Sequence, residues 1–227
     1  TDSQDFAGPI EETIHGRSFQ WVRDLHALDT DPLELVARFA RENKKSSWWS
    51  MRMNDTHDSR AHLNRPQARN PWIERNPHLL MRSSPQPLSY GWFLARSWNW
   101  SAVDYNHREV RDLVVAIVED VISNYEVDGI ELDFTRQLIF FREQTEGIEI
   151  ADSQGFVMTA MLERIQLLLQ KEEAKTGRKI RLGVHVPDSL DYCHALGLDL
   201  ESWMKKSIPD LVIAGGDFQL HPWSLIV

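Results

Sequence analysis

The chain has 227 residues, 42% of them hydrophobic and 26% charged, with a formal net charge of −9. That length and composition suit one globular domain with a sizeable core. The acidic balance, with no basic patch, argues against a nucleic-acid partner held through phosphates, and no run is long and apolar enough to span a membrane.

A single cysteine, Cys193, leaves no internal disulfide and no cysteine-based zinc site. It reads as a small buried residue on a helix. The chain starts at Thr1 without a methionine and shows no signal peptide, as a processed protein or a fragment would. Nine tryptophans are many for this length, and Trp48, Trp49, Trp98 and Trp100 fall in pairs near expected loops. Tryptophan faces stack on the apolar surfaces of sugar rings, so two or three of the nine are expected to line a site and the rest to fill the core.

In chain order, residues 1–20 read as irregular, and 18–28 as a weak helix or short strand. Asp31-Pro32 opens a helix, with aspartate at the N-cap and proline in the first turn, and apolar residues recur at helical spacing to Asn43. A strand follows over Ser47–Asn54, placing Arg52 and Asn54 on one face, with His57 and Asp58 in the polar tail behind it. Residues 59–88 carry Pro66, Pro71, Pro77, Pro85 and Pro87, which predicts a long functional loop over one rim. Leu88–Leu94 is either a strand or part of that loop. Residues 107–125 form an amphipathic helix with Val110, Leu113, Val114, Ile117, Val118, Val121 and Ile122 on one stripe. Beyond the central strand, the pattern predicts a helix over 156–174 ending near Gly177. A strand over Lys179–Pro187 comes next, then helical pieces over 189–206 broken at Gly197, and a last strand over Asp210–Asp217.

The central strand is Val127-Asp128-Gly129-Ile130-Glu131-Leu132-Asp133-Phe134. Ile130, Leu132 and Phe134 alternate with Gly129, Glu131 and Asp133, so the two sets face opposite ways. Two carboxylates on one face of a core strand are expensive to desolvate unless they are paired, hydrogen-bonded or used. At roughly 3.3 Å rise per residue, their Cα atoms lie about 6–7 Å apart on the same side. Such a pair can divide the roles of proton donor and ionised carboxylate. The plainer reading is a structural pair tied to Arg136.

Strands alternate with helices, and polar groups gather at strand C-termini: Arg52 and Asn54, Glu131 and Asp133, His185, Asp217. Repeated βα units predict a parallel sheet, and functional residues at several strand C-termini predict an α/β fold of the TIM-barrel-like (β/α)8 type. Only four or five strands are legible and the chain ends on Leu225-Ile226-Val227, so one barrel-like catalytic domain over 1–227 is expected, incomplete or part of a longer barrel. No glycine-rich phosphate turn favours a doubly wound sheet.

The D-G-I-E-L-D-F element at 128–134 resembles that of glycosyl-hydrolase-like barrel proteins of polysaccharide-degrading bacteria. The resemblance extends to Met51–Asp58, to the helix after His107-Arg108-Glu109-Val110-Arg111, and to 197–217, covering most of 30–217. It implies a TIM barrel that hydrolyses glycosidic bonds; relative to that family an opening and a closing strand are missing here. The strand also resembles the chitinase signature D-G-x-D-x-D-x-E through Asp128, Glu131 and Asp133, but the family's terminal acid falls on Thr135, so the chitinase mechanism does not carry over.

The leading expectation is therefore a glycoside hydrolase with Asp133 and Glu131 as its central acids, their roles unassigned, or with Asp58 or Asp217 as a partner across the rim. Arg52, Asn54, His57, Asp58, Arg136, His185 and Asp217 are candidates to orient the acids and bind hydroxyls, with Trp98 or Trp100 stacking on sugar. No cofactor and no metal is expected on this reading. The alternatives are a metal-dependent sugar-processing barrel using Glu131, Asp133, His185 and Asp217 as hard ligands, and a non-catalytic carbohydrate-binding barrel.

Overall fold

A computed structural model describes residues 14–56, 70–82 and 99–215. Four strands form one sheet: β1 (Trp48–Arg52), β2 (Gly129–Asp133), β3 (Arg181–Val186) and β4 (Leu211–Ala214). They lie in the order β1-β2-β3-β4, and every pair is parallel. Eight helices accompany them among the described residues: α1 (Ile14–His26), α2 (Pro32–Glu42), α3 (Pro71–Arg75), α4 (Arg108–Asn124), α5 (Glu143–Glu146), α6 (Asp152–Thr176), α7 (Leu190–Ala195) and α8 (Leu200–Lys205).

The two-residue period of the strands divides the sheet into unlike faces. Ile130, Leu132, Phe134, Leu182, Val184 and Val186 are all buried on one face. The apolar stripes of α4 (Val110, Val114, Val118, Val121, Ile122) and α6 (Met158, Met161, Leu162, Ile165, Leu169) join them in one continuous core. Trp203 of α8 reaches the same core, ring against Phe134, and its indole N–H donates to Thr159 Oγ1 at 2.8 Å. Cys193 is fully buried on α7. Burial, with the Asp188 charge adding to it, pushes its thiol up to about 12, so it is a packing residue rather than a nucleophile.

The eight-stranded, TIM-barrel-like expectation is corrected here. The described residues build a small open sheet of four parallel strands, in which β1 and β4 each pair on one side only. The βα repeat dictates parallel pairing and crossover helices, but a strand's own pattern of residues is the same in a sheet of four as in a ring of eight. Parallel pairing follows from the pattern; strand order and closure do not. Leu88–Leu94, a candidate further strand, lies outside the described residues.

Local signals set the element ends. Asp31 caps α2, accepting from the backbone N–H of Leu33 at 2.8 Å and of Glu34 at 2.9 Å, and its other oxygen accepts from the Tyr125 hydroxyl at 2.6 Å. Gly177 ends α6 in the left-handed region at φ 73°, where a side chain is disfavoured. Burial opposes ionisation of Asp31, but the Tyr125 hydroxyl and the two amides outweigh it and hold the carboxyl below its ordinary value. A carboxyl lowered on folding stabilises the fold above its unfolded value and loses that contribution as pH falls through the folded one. Asp31→Ala should therefore cost about 1–2 kcal/mol in urea unfolding at pH 7, and the difference from wild type should close in acid, below the ordinary carboxylate range.

Candidate functional site

The sheet's second face carries the polar residues. Register sets Ser50, Glu131, Gly183 and Leu211 side by side, and Arg52, Asp133, His185 and Ile213 in the next row toward the strand C-termini. The side chains of Glu131, Asp133 and His185 are 21%, 17% and 25% exposed, so they are sheltered yet open to solvent. Leu211 and Ile213, at the β4 edge of these two rows, are exposed.

His185 stands between the two acids. Its Nδ1 is 3.5 Å from Glu131 Oε1 and 3.7 Å from Asp133 Oδ1. These are ion-pair distances when the imidazole is protonated, and neither is a close hydrogen bond. Both carboxyl groups thus keep lone pairs available for a ligand. Asp133 is further anchored: its Oδ1 accepts from the backbone N–H of Thr135 at 2.8 Å and from the Thr135 hydroxyl at 2.7 Å. Thr135 occupies the place of the chitinase acid in the aligned signature, and here it serves as the clamp on Asp133. A Ser or Thr two residues after a strand-end aspartate is the sequence signal for such a turn.

The other candidates divide. Arg52 lies on the same face, but its guanidinium pairs with Asp55 Oδ2 at 2.8 Å rather than with Glu131 or Asp133. Asn54 is buried, and its amide is taken up by backbone: it accepts from Val103 N–H and donates to the carbonyls of Val103 and Ile139. It ties the segments at Val103 and Ile139 to the end of β1. Arg136 is exposed beyond Thr135. Trp100 lies in a 3-10 turn, Asn99–Ser101, whose carbonyl at Trp100 accepts from Arg82 N–H. His57, Asp58, Trp98 and Asp217 lie outside the described residues.

Two further features escaped the sequence pattern. Trp48 lies flat on the polar face, its ring over Gly129 and reaching Gly183. A Cβ built at Gly129 would sit 2.6 Å from ring atom Cε2, and one at Gly183 3.0 Å from Cζ3. The glycines of two different strands therefore exist to make room for one indole. Its Nε1–H donates to Ser46 Oγ at 3.1 Å. Secondly, Asp104 is buried in the loop before α4, with Arg142 Nε and His107 Nε2 each 3.7 Å from its Oδ2. Burial raises the Asp104 carboxyl, against the Asn106 amide, His107 and Arg142. Arg142 also donates to the carbonyls of His78 and Leu80, so this cluster stitches three connecting segments together.

Among the described residues no group of three or more His, Cys, Asp or Glu side chains is arranged to hold a metal ion, and no helix is long and apolar enough to cross a membrane. No protein-family model matches the chain, and no curated protein is significantly similar to it.

Proposed function

We propose that the chain is a glycoside hydrolase in which Glu131 and Asp133 form the acid pair. One observation carries this reading: two sheltered but accessible carboxyl groups, two residues apart on one strand face, flank a single imidazole. Sheltered acid pairs of this kind are more often used than structural. The resemblance of the D-G-I-E-L-D-F element to glycosyl-hydrolase-like proteins supports the same chemistry.

Roles follow from the contacts. Asp133 is fixed by two donors from Thr135, which orients its free oxygen and suits a nucleophile or a base for water. Glu131 has only His185 near it among its described ion-pair contacts, so its carboxyl is free to deliver a proton to the leaving glycosidic oxygen. As the bond from the anomeric carbon to that oxygen breaks, the oxygen takes the Glu131 proton. The anomeric carbon then gains its new oxygen from a water that Asp133 deprotonates, or from Asp133 itself, in which case a water that gives its proton to Glu131 displaces Asp133 in a second step and restores both acids. His185, within reach of both carboxyls, steers them.

The test is release of reducing ends from a panel of plant, algal and microbial polysaccharides, with and without chelator. Turnover indifferent to chelator is the expected result. Turnover abolished by chelator would replace this reading with a metal-dependent one. Saccharide binding without turnover would point to a carbohydrate-binding module.

A further inference from the structure

The polar face holds a cation that ought to quench the acid pair. Arg181 begins β3 on the same face as Glu131, one row lower and one strand across. Strand spacing and rise place such diagonal neighbours about 8 Å apart at Cα, well within the reach of an arginine side chain. Yet Glu131 Oε1 lies 3.5 Å from His185 Nδ1, and Arg181 is exposed and makes no ion pair among the described residues.

The register explains why. Gly129, Glu131, Arg181 and Gly183 mark the corners of one parallelogram on this face. One diagonal runs from Glu131 to Arg181, and the other from Gly129 to Gly183. The Trp48 ring lies over Gly129 and reaches Gly183, so it occupies the second diagonal and crosses the first. An indole lying there blocks the direct path between carboxylate and guanidinium.

The geometry points to Trp48 as a positioning residue: its ring is a partition that keeps the Glu131 carboxyl beside His185 and Asp133 and out of reach of Arg181. Its consequence for catalysis rests on the hydrolase reading above; the partition itself does not. Removing the ring opens the diagonal, and Arg181 captures Glu131 away from the reacting end of the site. Both residues stay in the fold, so the fault is one of placement and a second substitution repairs it.

The experiment is a pair of double-mutant cycles. In the wild-type background, the melting-temperature changes of Glu131→Gln and Arg181→Gln should add. In the Trp48→Ala background they should not, because the two side chains now interact. In parallel, Trp48→Ala should lower kcat for polysaccharide hydrolysis about fivefold, the scale of one surface ion pair, and Arg181→Gln on top should restore it. A general loss of packing would not be reversed by removing an arginine. If Trp48→Ala does not fold, Trp48→Leu, which refills part of the space, takes its place. Additive changes in both backgrounds, or an activity loss that Arg181→Gln leaves in place, would overturn the partition. If wild type hydrolyses nothing, the hydrolase reading fails and the melting-temperature cycles alone decide the role of Trp48.

Discussion

Asp133→Asn and Glu131→Gln should each lower kcat for glycoside hydrolysis by about 10³-fold, the usual loss when a positioned acid or base is removed. Both substitutions are isosteric and both sites are partly open, so the fold should survive them. In Asp133→Asn the new amide oxygen still accepts from the Thr135 N–H, which keeps the turn in place. The two variants should then separate by substrate. A proton on the leaving oxygen matters little when the leaving group is already acidic, so Glu131→Gln should recover much of its rate on an activated aryl glycoside. Asp133→Asn should not, because its defect lies at the anomeric carbon. If Asp133 attacks directly, a small external nucleophile such as azide should rescue Asp133→Asn with inversion at the anomeric carbon, whereas any azide product of Glu131→Gln should retain the configuration. The measurement is kcat on polysaccharide and on aryl glycoside, with circular dichroism as the check on folding. Equal losses on both substrates in both variants would undo the division of roles, and full activity in both would remove these acids from the mechanism.

Much of this face could be read from residue types alone. Alternation of Ile130, Leu132 and Phe134 with Gly129, Glu131 and Asp133 fixes which side chains share a face, because a strand has a strict period of two. The long apolar stripe of 107–125 likewise identifies α4, and Asp31-Pro32 identifies the start of α2. What could not be read is whatever depends on partners distant in sequence. Arg52 has the charge and the face to pair with Asp133 across the β1–β2 ladder, yet Asp55, three residues on, captures it. Asn54 looks like a site residue by its position and is instead consumed by the backbone of two remote loops. The number of strands is equally silent, since the same apolar pattern serves open and closed sheets. Thr135 was visible only as a mismatch to a family signature. Its role emerges when the chain turns after β2 and its hydroxyl falls on Asp133.

Gly129→Ala should be the most damaging small substitution on the sheet, costing about 3 kcal/mol, the upper end for overpacking a well-filled site. The added Cβ would sit 2.6 Å from Trp48 Cε2, with two further ring atoms of that indole closer still. Neither partner can yield cheaply. Gly129 is held in the ladder between β1 and β3, and its neighbour Asp128 is tied by a 2.8 Å bond from the Ser47 N–H. The indole is held over the sheet by its bond to Ser46 and by the backbone of β1 on which it begins. Gly183→Ala meets the same ring at 3.0 Å and only at its edge, so a small tilt of the indole suffices and the cost should be lower. The clash belongs to Trp48 rather than to the strand, and the pair should therefore couple. Trp48→Leu combined with Gly129→Ala should be less destabilised than the sum of the two single variants, because the alanine methyl then occupies space the indole has vacated. Urea unfolding of the four proteins measures this coupling directly. Additive losses would mean that the glycine answers to backbone conformation. Non-additive ones would show that a residue with no side chain is placed beside the acid pair to let a tryptophan lie across it.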